Sequence, residues 1–148
     1  VTDTSQPTIS PWQKLVAYTW YAWGRSLCYW GIRTADTSFY RAGIDSFGRA
    51  LRAWPHFSAS YYQRGLIRSR ELGEHRQGIE DLSQAITLSP DWPPPYLQRG
   101  LIQRFHGDAR AAISDLQRYI ELEQHSSWRD EAQRQIAMLE EDLRGETG

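Results

Sequence analysis

The sequence predicts an all-α chain built as a solenoid of antiparallel helix pairs, and three observations carry that prediction. The first is an internal repeat: Gln63-Arg64-Gly65-Leu66-Ile67 recurs as Gln98-Arg99-Gly100-Leu101-Ile102, 35 residues on, with Tyr61 and Tyr96 at the same distance before each. A second block, Gly78-Ile79-Glu80-Asp81-Leu82, is echoed by Ala112-Ile113-Ser114-Asp115-Leu116 at an offset of 34, so the turn at Gly107 is one residue shorter than that at Gly73. The second observation is spacing, with apolar residues returning every three or four positions rather than every two. The third is punctuation: Pro55 follows Ile44 by eleven residues and Pro90 follows Ile79 by eleven, at the expected ends of two helices.

Residues 1–10 are mostly Ser, Thr, Pro and Gln with little to bury and read as a linker. The chain opens on Val rather than Met, which suggests a fragment of a longer protein. Ser10 and Pro11 supply an N-cap and a first-turn proline for a helix in which Trp12, Leu15, Val16, Thr19, Trp20, Trp23, Leu27 and Trp30 recur at helical steps. Gly24 to Ile44 spans 20 residues, against 14 and 13 in the later copies, and the surplus around Gly31 to Thr37 predicts a loop. The next helix carries Tyr40, Gly43, Ile44, Phe47, Ala50, Leu51 and Trp54 before Pro55. Asp91 and Pro93 to Pro95 introduce a later helix, because N–H groups of a first turn lack intrahelical partners. Residues 127–144 place Trp128, Ala132, Ile136, Leu139 and Leu143 on one stripe of a closing helix. The units expected are repeats over about 12–55, 58–90 and 93–124, a capping helix over 127–144 and a tail at 145–148.

Composition narrows function. A chain of 148 residues buries enough surface to fold without metal or disulfide, and its one cysteine, Cys28, fits a reducing compartment and a buried, inert thiol. The 17 basic residues, sixteen of them arginine, are balanced by 18 acidic ones, which argues against a nucleic-acid binder. Leu15 to Trp23 is the most apolar run, far short of the ~20 residues a bilayer requires. His56, His75, His106 and His125 are scattered, and those at the connecting turns, His75 and His106, read as solvated. No metal-ligand spacing, phosphate loop or nucleophile elbow is present, so neither enzyme activity nor a cofactor or metal is predicted.

Helix pairs at a 34-residue period with these signatures resemble the tetratricopeptide repeat (TPR). The resemblance covers about residues 20–124. It rests on Trp20, Trp23, Gly24, Leu27, Gly43, Phe47, Ala50 and Pro55 in copy one. In copy two it rests on Tyr61, Gly65, Gly78, Leu82, Ala85 and Pro90, and in copy three on Tyr96, Gly100, Ala112 and Leu116, with Tyr119 and Gln124 departing from the pattern. It implies a right-handed solenoid, in which Gly24, Gly65 and Gly100 let helices close on Gly43, Gly78 and Ala112. Arginine precedes the first-helix glycine wherever aspartate follows in the second helix, predicting structural Arg64–Asp81 and Arg99–Asp115 ion pairs, with Trp23 and Ser46 replacing both in copy one.

The resemblance also implies a ligand groove along the first helices of successive repeats. Helical spacing assigns to it Tyr18, Tyr21, Ala22, Arg25 and Tyr29, then Tyr62, Gln63, Leu66, Ser69 and Arg70, then Leu97, Gln98, Leu101, Arg104 and Phe105. Its three arginines suit an extended or helical peptide with apolar anchors and acidic or free-carboxylate character. A clamp for chaperone tails is disfavoured, because Tyr21, Gln63, Pro94 and Gln98 stand where its Lys and Asn residues would be, leaving only Arg25 in a similar part. The leading expectation is a non-catalytic interaction module, as adaptor or assembly factor. The alternative is a spacer or self-associating unit of a larger protein, tethered to membrane only through a missing N-terminal segment. A bland reading tucks the groove tyrosines under the loop at Gly31 to Thr37 or under the N-terminal segment. A cytoplasmic location, or the cytoplasmic face of a membrane, is expected.

Overall fold

The computed structural model describes residues 8–106, 108–125 and 127–145, and among these seven helices follow one another. They are α1 (Pro11–Thr34), α2 (Thr37–Ala53), α3 (Ser58–Arg70), α4 (His75–Leu88), α5 (Pro93–His106), α6 (Ala109–Leu122) and α7 (Trp128–Gly145). Helices α1 and α2, α3 and α4, and α5 and α6 form hairpins, and each second helix packs on the first helix of the next pair, ending with α6 on α7. The expected linker lies outside the described residues up to residue 7, and the expected tail beyond Gly145.

Ser10 and Gln13 close a capping box at the start of α1, each side chain accepting from the other's backbone N–H, with Pro11 in the first turn. The loop expected over Gly31 to Thr37 is not there. Instead α1 continues to Thr34, only Ala35 and Asp36 link it to α2, and the surplus residues lengthen both helices to 24 and 17 residues. Gly31 marks a contact rather than a break: a β-carbon there would meet the Tyr40 ring at 2.8 Å. Thr34 donates back to the Trp30 carbonyl at 2.8 Å, Ala35 ends the helix at φ 55°, and Asp36 caps α2 through the Ser38 N–H.

The hairpins close through the expected small residues. A β-carbon on Gly43 would lie 3.2 Å from the Gly24 carbonyl, one on Gly65 3.0 Å from that of Gly78, and one on Gly100 3.3 Å from that of Ala112. Gly73, between α3 and α4, adopts φ +68°, which a side chain would oppose. Pro93 to Pro95 form the first turn of α5, and the Tyr96 hydroxyl donates to the Pro90 carbonyl at 2.9 Å.

Helix α1 breaks the inference from its own apolar stripe. It buries Ala17, Gly24, Cys28 and Gly31, all small, while Trp12, Trp23 and Trp30 are 70%, 56% and 51% exposed. Small residues let α2 approach, so the tryptophans are left on the outward side of the first helix. At the other end, Ala132 and Leu139 of α7 are buried with Ile136 packed against the core, whereas Trp128 is exposed rather than part of that stripe's buried seam. Arg129 donates to the Ile120 and Glu123 carbonyls and closes the end of α6.

Candidate functional site

Each of the two later hairpins is tied by a carboxylate on its second helix. Arg64 donates to Asp81 through Nε at 2.9 Å and Nη2 at 2.6 Å, and Arg99 donates to Asp115 through the same two nitrogens at 2.7 Å each. Both aspartates are buried. Each has a further donor three residues beyond the first-helix glycine, which the sequence reading missed. Arg68 Nη1 reaches Asp81 at 2.8 Å, and Gln103, with its amide nitrogen turned to the carboxylate, reaches Asp115 at 2.8 Å. The signal was available in the repeat columns, where Leu27 of α1 stands opposite Arg68 and Gln103.

These arginines also lie against the preceding hairpin. Arg99 Nη1 donates to Ser83 of α4 at 2.8 Å, and Arg64 Nη1 would sit 3.8 Å from a β-carbon on Gly48, the matching position of α2. In copy one Trp23 is exposed, and Ser46 is buried and donates to the Ala42 carbonyl at 2.8 Å.

The residues assigned to the groove divide into two groups. At the α1 end, Tyr18 and Tyr21 set their rings 5.0 Å from Phe57, Arg25 lies 6.0 Å from the Tyr21 ring, and Tyr29 is exposed beside Trp30. The covering loop of the bland reading does not exist; Phe57 and Trp54, on the link from α2 to α3, are what Tyr18 packs against. Ala22 is exposed, and Gln63 and Leu66 are half-buried on α3. Tyr62 connects the groups. Its ring is 4.8 Å from Trp92, and burial raises its phenol pKa, opposed by the nearby Arg70 guanidinium and reinforced by Tyr21.

At the other end, Arg70, Gln98, Leu101 and Phe105 come together with Ser69 around an open cavity of about 320 Å³ between α3, α5 and the start of α7. Sequence reading missed four of its walls: His75, Ile102, His106 and Trp128. His106 is exposed, as expected of a residue at a connecting turn, but His75 is half-buried: their rings stack at 3.6 Å and 9°, because α4 begins where α5 ends, and His75 Nδ1 is buried without a hydrogen-bond partner. Leu97 is corrected more sharply. It is buried in the core cluster shared by α5, α6 and α7, so it supports the groove wall and does not line it.

Arg104 stacks on Phe105 at 4.6 Å, and its charge helps hold the Glu131 carboxyl below its ordinary value, after hydrogen bonds from Arg134 and Gln135. Cys28 is buried against Gly43, and burial, with the charge of Glu71 adding, pushes its thiol up to about 11. No group of three His, Cys, Asp or Glu able to hold a metal ion occurs among the described residues, and no described helix is long and apolar enough to cross a membrane.

No protein-family model matches the sequence, and no curated protein matches it. Solved structures do. The first TPR domain of Spaghetti (RPAP3), bound to the HSP90 peptide SRMEEVD, is 20% identical over 88% of this chain and 95% of that one, with a TM-score of 0.75. The second TPR domain of human RPAP3, in complex with the HSP70 peptide SGPTIEEVD, is 15% identical over 84% of this chain and 98% of that one, at 0.68. The Sgt2 TPR domain from Aspergillus fumigatus is 18% identical over 94% of this chain and 84% of that one, at 0.70. Three glycine-closed hairpins stacked second helix to first, followed by α7, and this agreement in shape establish that the chain has the tetratricopeptide-repeat fold, with three repeats and a closing helix.

Proposed function

We propose that this chain is a non-catalytic interaction module that docks a peptide or protein segment along α3, α5 and α7, serving as an adaptor or assembly factor on the cytoplasmic side of the cell. The cavity at Arg70 and Phe105 carries the reading. Its walls combine an apolar floor from Leu101, Ile102 and Phe105 with a guanidinium at the rim, the pairing that accepts an apolar side chain beside a carboxylate. Arg25, Arg70 and Arg104 extend positive charge along the first helices. The peptides in the two RPAP3 structures end in Glu-Glu-Val-Asp, so acidic C-termini are bound on this fold. Here Tyr21, Gln63, Pro94 and Gln98 stand in place of the clamp's Lys and Asn residues, and the apolar cavity takes a larger share of recognition than a terminal carboxylate.

Capture from a lysate tests this. Partners held by wild type are expected to be lost from the Arg25/Arg70/Arg104→Glu triple variant and from Leu101→Glu, both with unchanged helical circular dichroism. The same partners on all three proteins, or none on wild type, would sink the reading. Titration with SRMEEVD and with its C-terminal amide separates the contributions, and similar weak affinity for both is expected.

A further inference from the structure

We propose that the outer face of α1 is a dimerisation surface and that its occupant is α1 of a second copy of this chain, packed antiparallel. The repeat columns identify the face. Arg64 and Arg99 lie against the second helix of the preceding hairpin, through Gly48 and Ser83. Trp23 holds the same column in α1, and no hairpin among the described residues precedes it. A position that is a repeat-stacking contact in the later hairpins is thus an exposed tryptophan in the first.

The face is continuous. Trp12, Val16, Thr19, Trp23, Ser26 and Trp30 follow at steps of four, three, four, three and four, the seam of two helices packed side by side. No charged residue interrupts it from Trp12 to Trp30; Lys14 and Arg25 lie on other sides of the helix. The three tryptophans are more than half exposed. With Leu15, Val16, Trp20 and Leu27 beside them, two such faces bring together about 1,000 Å², the lower bound of a specific interface.

The order of large and small residues selects a second copy. With the twofold axis level with Tyr21, Trp23 of one copy meets Thr19 of the other, Val16 meets Ser26, and Trp12 meets Trp30, so bulk faces hollow at the centre and rings meet rings at both ends. Thr19 already donates to the Leu15 carbonyl at 2.9 Å, so its hydroxyl is buried without an orphan donor.

Sedimentation velocity of the 148-residue chain is expected to give twice its 17.2 kDa mass. A Thr19→Glu/Trp23→Glu variant and a Thr19→Lys/Trp23→Lys variant should each be monomeric, with dimer affinity reduced about a hundredfold or more. Mixed, they should form a heterodimer, since each Glu then faces a Lys, and that recovery also shows that both variants fold. Arg70→Glu should remain dimeric. A monomeric wild type at high concentration, whether or not it co-sediments with phosphatidylcholine vesicles, overturns the proposal, as does failure of the mixed variants to pair.

Discussion

Beside the close glycine contact of each hairpin, α1 and α2 place Trp23, Leu27 and Ser46, where α3 and α4 place Arg64, Arg68 and Asp81 and α5 and α6 place Arg99, Gln103 and Asp115. The later hairpins bury a carboxylate and satisfy it with forked donors that also touch the hairpin before. Among the described residues the first hairpin has no such neighbour, so a guanidinium there would bridge no second surface. An apolar ring and a self-satisfied hydroxyl take its place. Near-identical backbones therefore carry different side-chain chemistry in the first hairpin and in the later two.

The largest effect expected from breaking this comparison comes from Arg99→Met, which leaves Asp115 buried with only the neutral Gln103 as donor. A loss of about 3–5 kcal/mol is expected in urea unfolding, much of it regained in Arg99→Met/Asp115→Leu, because an apolar pair replaces an orphaned charge. Arg64→Met should cost distinctly less, since Arg68 remains 2.8 Å from Asp81. Equal losses at the two sites would mean that Arg68 does not share the charge.

Transplanting the later chemistry sharpens the contrast. Ser46 is 4% exposed, so Ser46→Asp buries a carboxylate with no partnered cation and should cost about 3 kcal/mol. Adding Trp23→Arg should recover most of it. A double variant no more stable than Ser46→Asp alone would show that the first hairpin cannot adopt the ion-paired geometry.

Smaller differences are expected at the glycines. A β-carbon on Gly24 would lie 2.7 Å from the fully buried Phe47 ring, while one on Gly100 would lie 3.1 Å from Leu116 Cγ. Gly24→Ala should cost about 1–3 kcal/mol and Gly100→Ala under about 1, read as shifts in urea midpoint at constant slope. Similar midpoints for the two variants would show that the first hairpin is no more tightly closed than the third.

Most of the fold was legible because each hairpin restates the same local rules: small residues where helices close, proline at starts and stops, and paired charges in fixed columns. What misled was the meaning of single residues. Gly31 looks like a breaker in sequence, and only the Tyr40 ring on the facing helix reveals it as a contact. The tryptophan stripe of α1 looks like a core seam because periodicity reports that a face exists, not what lies against it. The groove was legible helix by helix and not across helices. Spacing on α5 alone cannot separate Leu97, buried in the core, from Leu101, which lines the cavity, and nothing in sequence brings His75 onto His106.

The last contrast lies four residues beyond the close glycine, at Cys28 in α1 and Ser69 in α3. Ser69 donates to the Gly65 carbonyl at 2.8 Å, and a serine at position 28 could donate to the Gly24 carbonyl in the same way. Cys28→Ser should therefore change stability at neutral pH by under about 1 kcal/mol. Its consequence appears only in alkali. Burial pushes the Cys28 thiol up to about 11, above the ordinary value near 9, so the folded chain keeps a proton that the unfolded chain releases first. The thiol's contribution is complete below the ordinary value and is lost as pH rises toward 11, at no more than about 1.4 kcal/mol per pH unit. Urea unfolding at pH 7, 9 and 10 should show wild type losing stability faster than Cys28→Ser over the upper interval. Folded wild type should also react with a thiol reagent at pH 8.5 far more slowly than the urea-unfolded chain. Parallel decline of the two proteins, together with equal reaction rates, would place the thiol in solvent and erase the difference between the two hairpins at this position.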